Sequence, residues 1–483
     1  MSLSRRVSLN TLWQICGRLV TSTLAFVIVT QILPRVLVPS DLGVFAFYLA
    51  LYQLLVNVLD FGAGTIVIRE AARQRERAGL LLGLLVRLKA RFAVAAALLL
   101  IGVAVWYEGM TARTALLCLA ALHVFAHLPA AAGAIFSVDM AFARQAQVAV
   151  AGQVTWLAAT VGLAVLGVHE PAAYLLAFGL GLLVNGALAW RWSRERVRLD
   201  FSASRAELAA LWSHVWPAGV SISAASVYFY IDQAMLRPLA GEEAVALYNQ
   251  PYRLMTFMIM VPVLFSQVIL PVYARLWSRG PGALRPFFVR TTRFLLALGA
   301  PVSATVWLVA PDMMRLLFPP EYAAGAGALA ILSSAIVFVF CAYPHVMLLL
   351  AAGEQRLMMR ISVAGAVLNV LTNLWAIPRF GIEGAAGVTV ATEAFVLAAT
   401  ALTAARRTGL HVPAAALLRP LLCAAVAAGA LALALPHLPD VPAARVGTGV
   451  LAGLLAVLAS GVLPPDFGGE QGAPLEVPAE PLA

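Results

Sequence analysis

Charge is scarce in this chain. Only 12% of its 483 residues are Asp, Glu, Lys or Arg, against 62% hydrophobic. A water-soluble domain has no way of hiding so much apolar surface. Cysteine is scarce as well. Cys16, Cys118, Cys341 and Cys423 stand singly within apolar runs, so no pair has metal or redox spacing and all four read as small packing residues. Long polar stretches are missing too. There is no phosphate-gripping glycine loop, no hydrolytic or redox constellation, and no connection large enough to hold a catalytic domain. The chain is therefore expected to be no enzyme and to need no cofactor.

What the sequence has instead is long apolar runs. Fourteen are long enough to cross hydrocarbon as helices, at 1.5 Å per residue over roughly 30 Å. They cover residues 12–33, 43–60, 92–107, 114–138, 146–168, 172–190, 216–239, 251–273, 294–318, 325–350, 361–377, 384–404, 414–435 and 446–463. The first is too long for a signal-peptide core and lacks a small-residue cleavage site, so it reads as a span. The expectation is an all-α, multi-pass membrane protein.

The basic residues orient it. Of 33 Lys and Arg, 25 fall at the N-terminus or on the even-numbered connections. Seven fall on the odd-numbered side (Arg35, Arg113, Arg237, Arg253, Arg315, Arg379 and Arg445), and Arg18 lies within the first run. Positive residues stay cytosolic, which places both termini in the cytosol and the protein in the cytoplasmic (inner) membrane. A basic cytosolic surface facing anionic lipid accounts for the net charge of +10 without nucleic acid.

The chain also repeats itself. Val150-Ala-Gly-Gln-Val154 matches Val363-Ala-Gly-Ala-Val367 at an offset of 213, and Glu170-Pro-Ala-Ala173 matches Glu383-Gly-Ala-Ala386 at the same offset. Fainter echoes pair Arg35 with Arg237, Phe45 with Tyr248 and Phe61 with Phe265. Spans 1–6 thus lie over spans 7–12 in order. Six is even, so the repeats run parallel, with a cavity between two bundles that rock. The expected divisions are 1–192 and 216–405 for the two six-helix bundles and 193–215 for a cytosolic linker. Residues 406–463 hold an appended helix pair, and 464–483 a disordered acidic tail.

Polar groups inside spans are costly and mark sites. Arg18 either snorkels to the interface or supplies a cavity cation, and a guanidinium suits diphosphate because it donates two parallel hydrogen bonds. Asp232 and Glu393 sit in mid-span with no basic residue within a turn or two. Each is either a proton or cation carrier or a structural partner to a neighbouring helix. Asp60 closes span 2 near water and reads as interfacial or capping. His123 and His127 share one face of span 4, where hydrogen bonds between helices suit them better than a metal lacking a third ligand. Asn369 and Asn373, also one turn apart, either bond across helices or line the cavity.

At the level of short ordered strings, the chain resembles a known family. The strings are Leu33-Pro-Arg-Val-Leu-Val-Pro-Ser-Asp41-Leu-Gly43-Val-Phe45, Asp60-Phe-Gly62 with Ile68-Arg-Glu70, and Tyr248-Asn-Gln-Pro-Tyr-Arg253-Leu. Further along come Leu270-Pro-Val-Tyr-Ala-Arg275-Leu, Leu317-Phe with Glu321-Tyr, and Ala352-Gly-Glu with Asn369, Asn373, Ile377-Pro378, Gly381 and Gly384-Ala-Ala386. These resemble the Wzx-type oligosaccharidyl-lipid flippases of the multidrug/oligosaccharidyl-lipid/polysaccharide (MOP) superfamily, over roughly residues 5–410. The resemblance implies alternating-access transport of a polyprenyl-diphosphate-linked glycan, often with cation coupling or antiport. It makes Arg18 and Arg253 candidate diphosphate ligands; Asn369 and Asn373, on their cavity-lining reading, are candidate substrate-binding residues. Asp60, Asp232 and Glu393 become candidate polar, cation-coupling groups. Membrane lipids, a polysaccharide polymerase and glycosyltransferases are the implied partners. Leu247 and Pro251 depart from the Gly and Ala that the family usually places there.

Two other functions fit parts of this pattern. A cation-coupled multidrug exporter would share the fold, but such proteins usually stop at twelve spans and favour an acidic, aromatic cavity. A membrane polysaccharide polymerase would need a large outer loop, and every connection on the sparsely charged side is short.

Overall fold

The computed structural model describes residues 3–465. Among them, fourteen helical segments run between two faces. They are α1 (Leu3–Phe26, carried on through a π turn Val27–Ile32 and Leu33–Val36), α2 (Pro39–Asp60), α3 (Ala78–Glu108) and α4 (Ala112–Val138, interrupted by a 3-10 turn). Then come α5 (Phe142–Val165), α6 (Pro171–Ser193), α7 (Arg205–Ala240), α8 (Glu242–Ser278), α9 (Pro281–Leu317) and α10 (Ala326–Ala351). One helical stretch, Gln355–Thr408, supplies both α11 (355–380) and α12 (382–408). The last are α13 (Ala414–Ala434) and α14 (Pro442–Ala459).

Twelve helices among the described residues are long and apolar enough to span a bilayer, with Gln355–Thr408 counted once and α7 not among them. Straight, those 54 residues would reach ~81 Å, far beyond any bilayer. They fold back at Gly381, whose φ of 56° only glycine adopts freely. The turn lets Asn369 on one arm donate to Thr392 on the other at 3.3 Å.

The repeat seen in the sequence is a repeat of packing. Gly152 of α5 presses against Gly181 and Asn185 of α6, close enough that a Cβ would meet the Gly181 carbonyl. At the same offset, Gly365 of α11 faces Thr392 and Val396 of α12. At Gly152 the missing side chain lets the helices approach closely, as membrane helices need where no hydrophobic drive exists between them, whereas a Cβ at Gly365 would sit at ordinary contact distance. We call α1–α6 the N-lobe and α7–α12 the C-lobe, after the two halves of the repeat. They meet along α2 with α7 and α8, and α1 with α8. The appended pair packs on α9. Ion pairs fix it there: Arg315 to Asp440 at 2.9 Å and Arg445 to Asp440 at 3.2 Å. The Arg315 guanidinium also holds the Asp440 carboxyl, outside the spans, below its usual range.

The connections separate into two faces. On the face where α1 begins and α14 ends, Arg75 and Arg196 reach Asp139 (2.8 and 3.4 Å), Arg77 reaches Glu207 (2.9 Å), and Arg87 holds the Phe201 and Ala203 carbonyls. On the opposite face, Arg113 joins Asp41 and Glu170, both at 3.0 Å. Several helices start well before their apolar runs: α3 by 14 residues, α7 by 11, α8 by 9 and α9 by 13. Hydropathy marks where hydrocarbon begins, whereas the helix continues through amphipathic turns that the headgroups tolerate. Arg253 lies within α8, eleven residues from its start, rather than on the connection where the count of basic residues places it.

Candidate functional site

A groove runs between the lobes, lined by α1, α2, α5, α6 and α8. Two cavities stack within it. The deeper, of about 370 Å³, is lined by Ser22, Gln53, Gln153, Trp156, Arg253 and Thr256 among apolar neighbours. The second, of about 230 Å³, is lined by Gln14, Arg18, Thr21, Gln145 and Gln267. Helical periodicity explains why one groove collects these residues. Gln14, Arg18, Ser22, Ala25 and Val29 recur every three or four residues on α1, as do Gln145, Ala149, Gln153 and Trp156 on α5. On α8 the same face carries Arg253, Thr256, Met260, Val263 and Gln267.

The structure thus brings Arg18 and Arg253, 235 positions apart, onto one groove. Counted by helical rise from the opposite face, Arg253 lies ~16 Å deep and Arg18 ~27 Å. No acidic residue lines either cavity among the described residues. Arg18 is exposed and Arg253 half-buried. Three atoms beside the deep cavity are buried with no hydrogen-bond partner among the described residues: Arg253 Nε, Gln153 Oε1 and Trp156 Nε1. Each costs about 1–3 kcal/mol while unpaired. An anionic, hydroxyl-rich ligand has the groups to relieve that cost.

Towards the opposite face the groove is shut. Arg35 donates to the Leu317 carbonyl at 3.1 Å, and the Tyr322 hydroxyl to the Leu37 carbonyl at 3.3 Å. Both bonds cross from one lobe to the other.

The remaining sequence candidates gather elsewhere. Asp232 is fully buried inside the C-lobe. Its Oδ2 accepts from the Tyr248 hydroxyl (2.5 Å) and the Thr389 hydroxyl (3.2 Å), and its Oδ1 from the Gln233 N–H (2.8 Å). Asn369 and Asn373 are buried in the same lobe, where Asn373 donates to Asn369 Oδ1 at 3.0 Å. Neither asparagine lines the groove cavities. Asn373 Oδ1 has no partner among the described residues. Glu393, 5% exposed, lies one turn beyond Thr389. Asp60 ends α2, but its side chain lies outside the described residues. His127 Nε2 pairs with the Tyr52 hydroxyl at 2.7 Å, and His123 packs on Gly179.

Sequence reasoning missed the glutamines. Gln14, Gln53, Gln145, Gln153 and Gln267 carry no charge and so raise no alarm within apolar runs. Their helical phase with Arg18 and Arg253 was the available signal.

The sequence model of a family described as "Polysaccharide biosynthesis protein" matches residues 7–277. The chain belongs to this family. A second model, MatE, matches residues 217–375 within the C-lobe. Among curated proteins, an uncharacterized membrane protein of Methanocaldococcus jannaschii is 26% identical over 213 residues. That alignment takes in 44% of this chain and 41% of the relative, less than half its length. Among solved structures, the lipid II flippase MurJ in an inward closed conformation superposes with a TM-score of 0.76 at 12% identity. It covers 94% of this chain and 98% of that one. An inward-facing multidrug resistance MATE transporter of the MOP superfamily follows at TM-score 0.67 and 15% identity, covering 80% and 94%. A Pyrococcus furiosus MOP transporter, whose structure is titled for a binding pocket of reverse polarity, gives 0.56 at 17% identity, covering 84% and 95%. At such identities the likeness is one of fold, and the fold of this family member is that of the MOP transporters.

Proposed function

We propose that this protein is a flippase that carries a polyprenyl-diphosphate-linked oligosaccharide across the cytoplasmic membrane for surface polysaccharide synthesis. One observation carries the reading: among the described residues, the only charged side chains lining the groove cavities are the guanidinium groups of Arg18 and Arg253. Guanidinium matches phosphate oxygens with paired donors, and the surrounding glutamines offer donors and acceptors to sugar hydroxyls. The family name points to polysaccharide assembly, with glycosyltransferases and a polymerase as the partners before and after this step. Both termini lie in the cytosol, as the basic residues indicate. The groove therefore faces inward, and the two lobes, 1–192 and 216–405, rock to present it outside.

Asp232 serves as the coupling group for a proton or metal cation, with Tyr248 and Thr389 completing its polar surroundings. Glu393 is the second such carboxylate. The competing reading, a multidrug exporter, draws support from the MatE match. It fits the groove less well, because a cationic drug would meet two arginines there and no carboxylate.

Deleting the gene tests the assignment. The expected result is loss of surface polysaccharide while intact lipid-linked precursor accumulates on the inner leaflet. Normal surface glycan, or polymer altered only in chain length, would contradict it.

A further inference from the structure

At the opposite face, α7 of the C-lobe ends in an arginine that leaves its own lobe. Arg237 has only 4% of its side chain exposed. Its Nη2 donates to Glu108 Oε1 of α3, in the N-lobe, at 2.5 Å, and also to Glu242 at the start of α8. The Glu108 oxygen is held from its other side by the Tyr48 hydroxyl at 3.2 Å. Three N-lobe rings surround the guanidinium carbon: Tyr107 at 4.7 Å, Phe47 at 5.0 Å and Tyr48 at 5.5 Å. A few residues away, Gly43 of α2 sits so close to the Glu242 backbone that a Cβ would overlap its carbonyl. The lobes touch here with no room to slide.

We propose that Arg237 is the latch that keeps the outer side shut, and that the N-lobe pocket it fills is a binding site for guanidinium ions. The inference rests on the two-lobe rocking proposed above. Opening the outer side must draw α7 away from α3 and α2, and so pull a buried cation out of a carboxylate and three aromatic faces. Aromatic faces attract cations most strongly where water is excluded, and removing one partner of a buried ion pair is far costlier than breaking an exposed one. The vacated pocket keeps Glu108 and the rings, which suit a flat cation better than a compact ammonium. Arg237 is thus an intramolecular ligand, and the socket competes with the outward-facing state for it.

The test uses the full-length protein in lipid nanodiscs, with the four native cysteines replaced and spin labels attached at Met110→Cys and Glu321→Cys. Both positions are exposed, one on each lobe. Unsubstituted at position 237, the protein should give one short distance. Arg237→Ala and Glu108→Gln should each add a longer distance, lowering the closed-to-open ratio at least about tenfold. Millimolar ethylguanidinium should restore the short distance in Arg237→Ala, and ethylammonium should restore much less. Arg237→Lys should fall between, and reads the same equilibrium if the alanine variant does not fold. Unchanged distances in these variants would overturn the latch. Opening that ethylguanidinium does not reverse, or that ethylammonium reverses equally well, would overturn the guanidinium site. The distances need no substrate, so a variant that opens while no glycan moves would retain the latch and count against the proposed cargo alone.

Discussion

Arg253→Ala is expected to slow glycan translocation by about 10- to 100-fold, the loss that follows from removing a charge-assisted, two-donor contact. The protein should remain folded and inserted. Arg253 Nε has no partner among the described residues, so the substitution frees no structural bond there. Arg253→Lys should recover only part of the rate, because an ammonium keeps the charge but loses the planar fork. Arg18→Ala should act in the same direction but less strongly. Arg18 is exposed at the mouth of the groove, where water screens its charge, whereas Arg253 sits deep. Translocation rates of equal amounts of each reconstituted variant would check the ranking. A wild-type rate for Arg18→Ala would show that its side chain only snorkels to the interface.

Asp232→Asn is expected to leave a protein whose transport no longer responds to an imposed proton or sodium gradient. The amide keeps the shape, and its oxygen still accepts from Tyr248 and Thr389, but it cannot alternate between charged and neutral forms. Folding stability should fall by about 1–3 kcal/mol, because the amide nitrogen brings donors into a cradle built entirely of donors. Glu393→Gln provides the comparison. Glu393 is buried, and no hydrogen bond or ion pair holds it among the described residues, so its replacement should leave stability nearly unchanged. Gradient dependence lost in Asp232→Asn but kept in Glu393→Gln would assign coupling to the first carboxylate. Gradient dependence kept in both, at normal protein levels, would remove both from that role.

The fold was legible because the bilayer imposes length and apolarity on every span, and because the basic residues keep to one face. The repeat was legible through the strings around Gly152 and Gly365, of which Gly152 is the one whose packing requires a missing side chain. Pairings between distant helices were not legible. Asp232 looked alone because its partners Tyr248 and Thr389 lie 16 and 157 positions away. Arg237 looked like one more loop cation, since nothing local announces Glu108, 129 positions earlier. Asn369 and Asn373, one turn apart, read either as a bond across helices or as cavity-lining substrate residues. Their burial in the C-lobe depends on the turn at Gly381, whose effect on the chain direction hydropathy alone does not reveal. Arg18 and Arg253 were found because charge in hydrocarbon is conspicuous, and the glutamines beside them were missed because amides are not.

The central claim is that the groove takes a lipid-linked diphosphate. Its most direct test is reconstitution of the purified protein into liposomes holding a polyprenyl-diphosphate-linked glycan in one leaflet, with its appearance in the other measured against protein-free vesicles. The account predicts translocation by the unsubstituted protein, its near loss in the Arg18→Ala, Arg253→Ala double variant, and no comparable movement of a cationic drug loaded into the same vesicles. Drug movement without glycan translocation, or glycan translocation indifferent to both arginines, would contradict it.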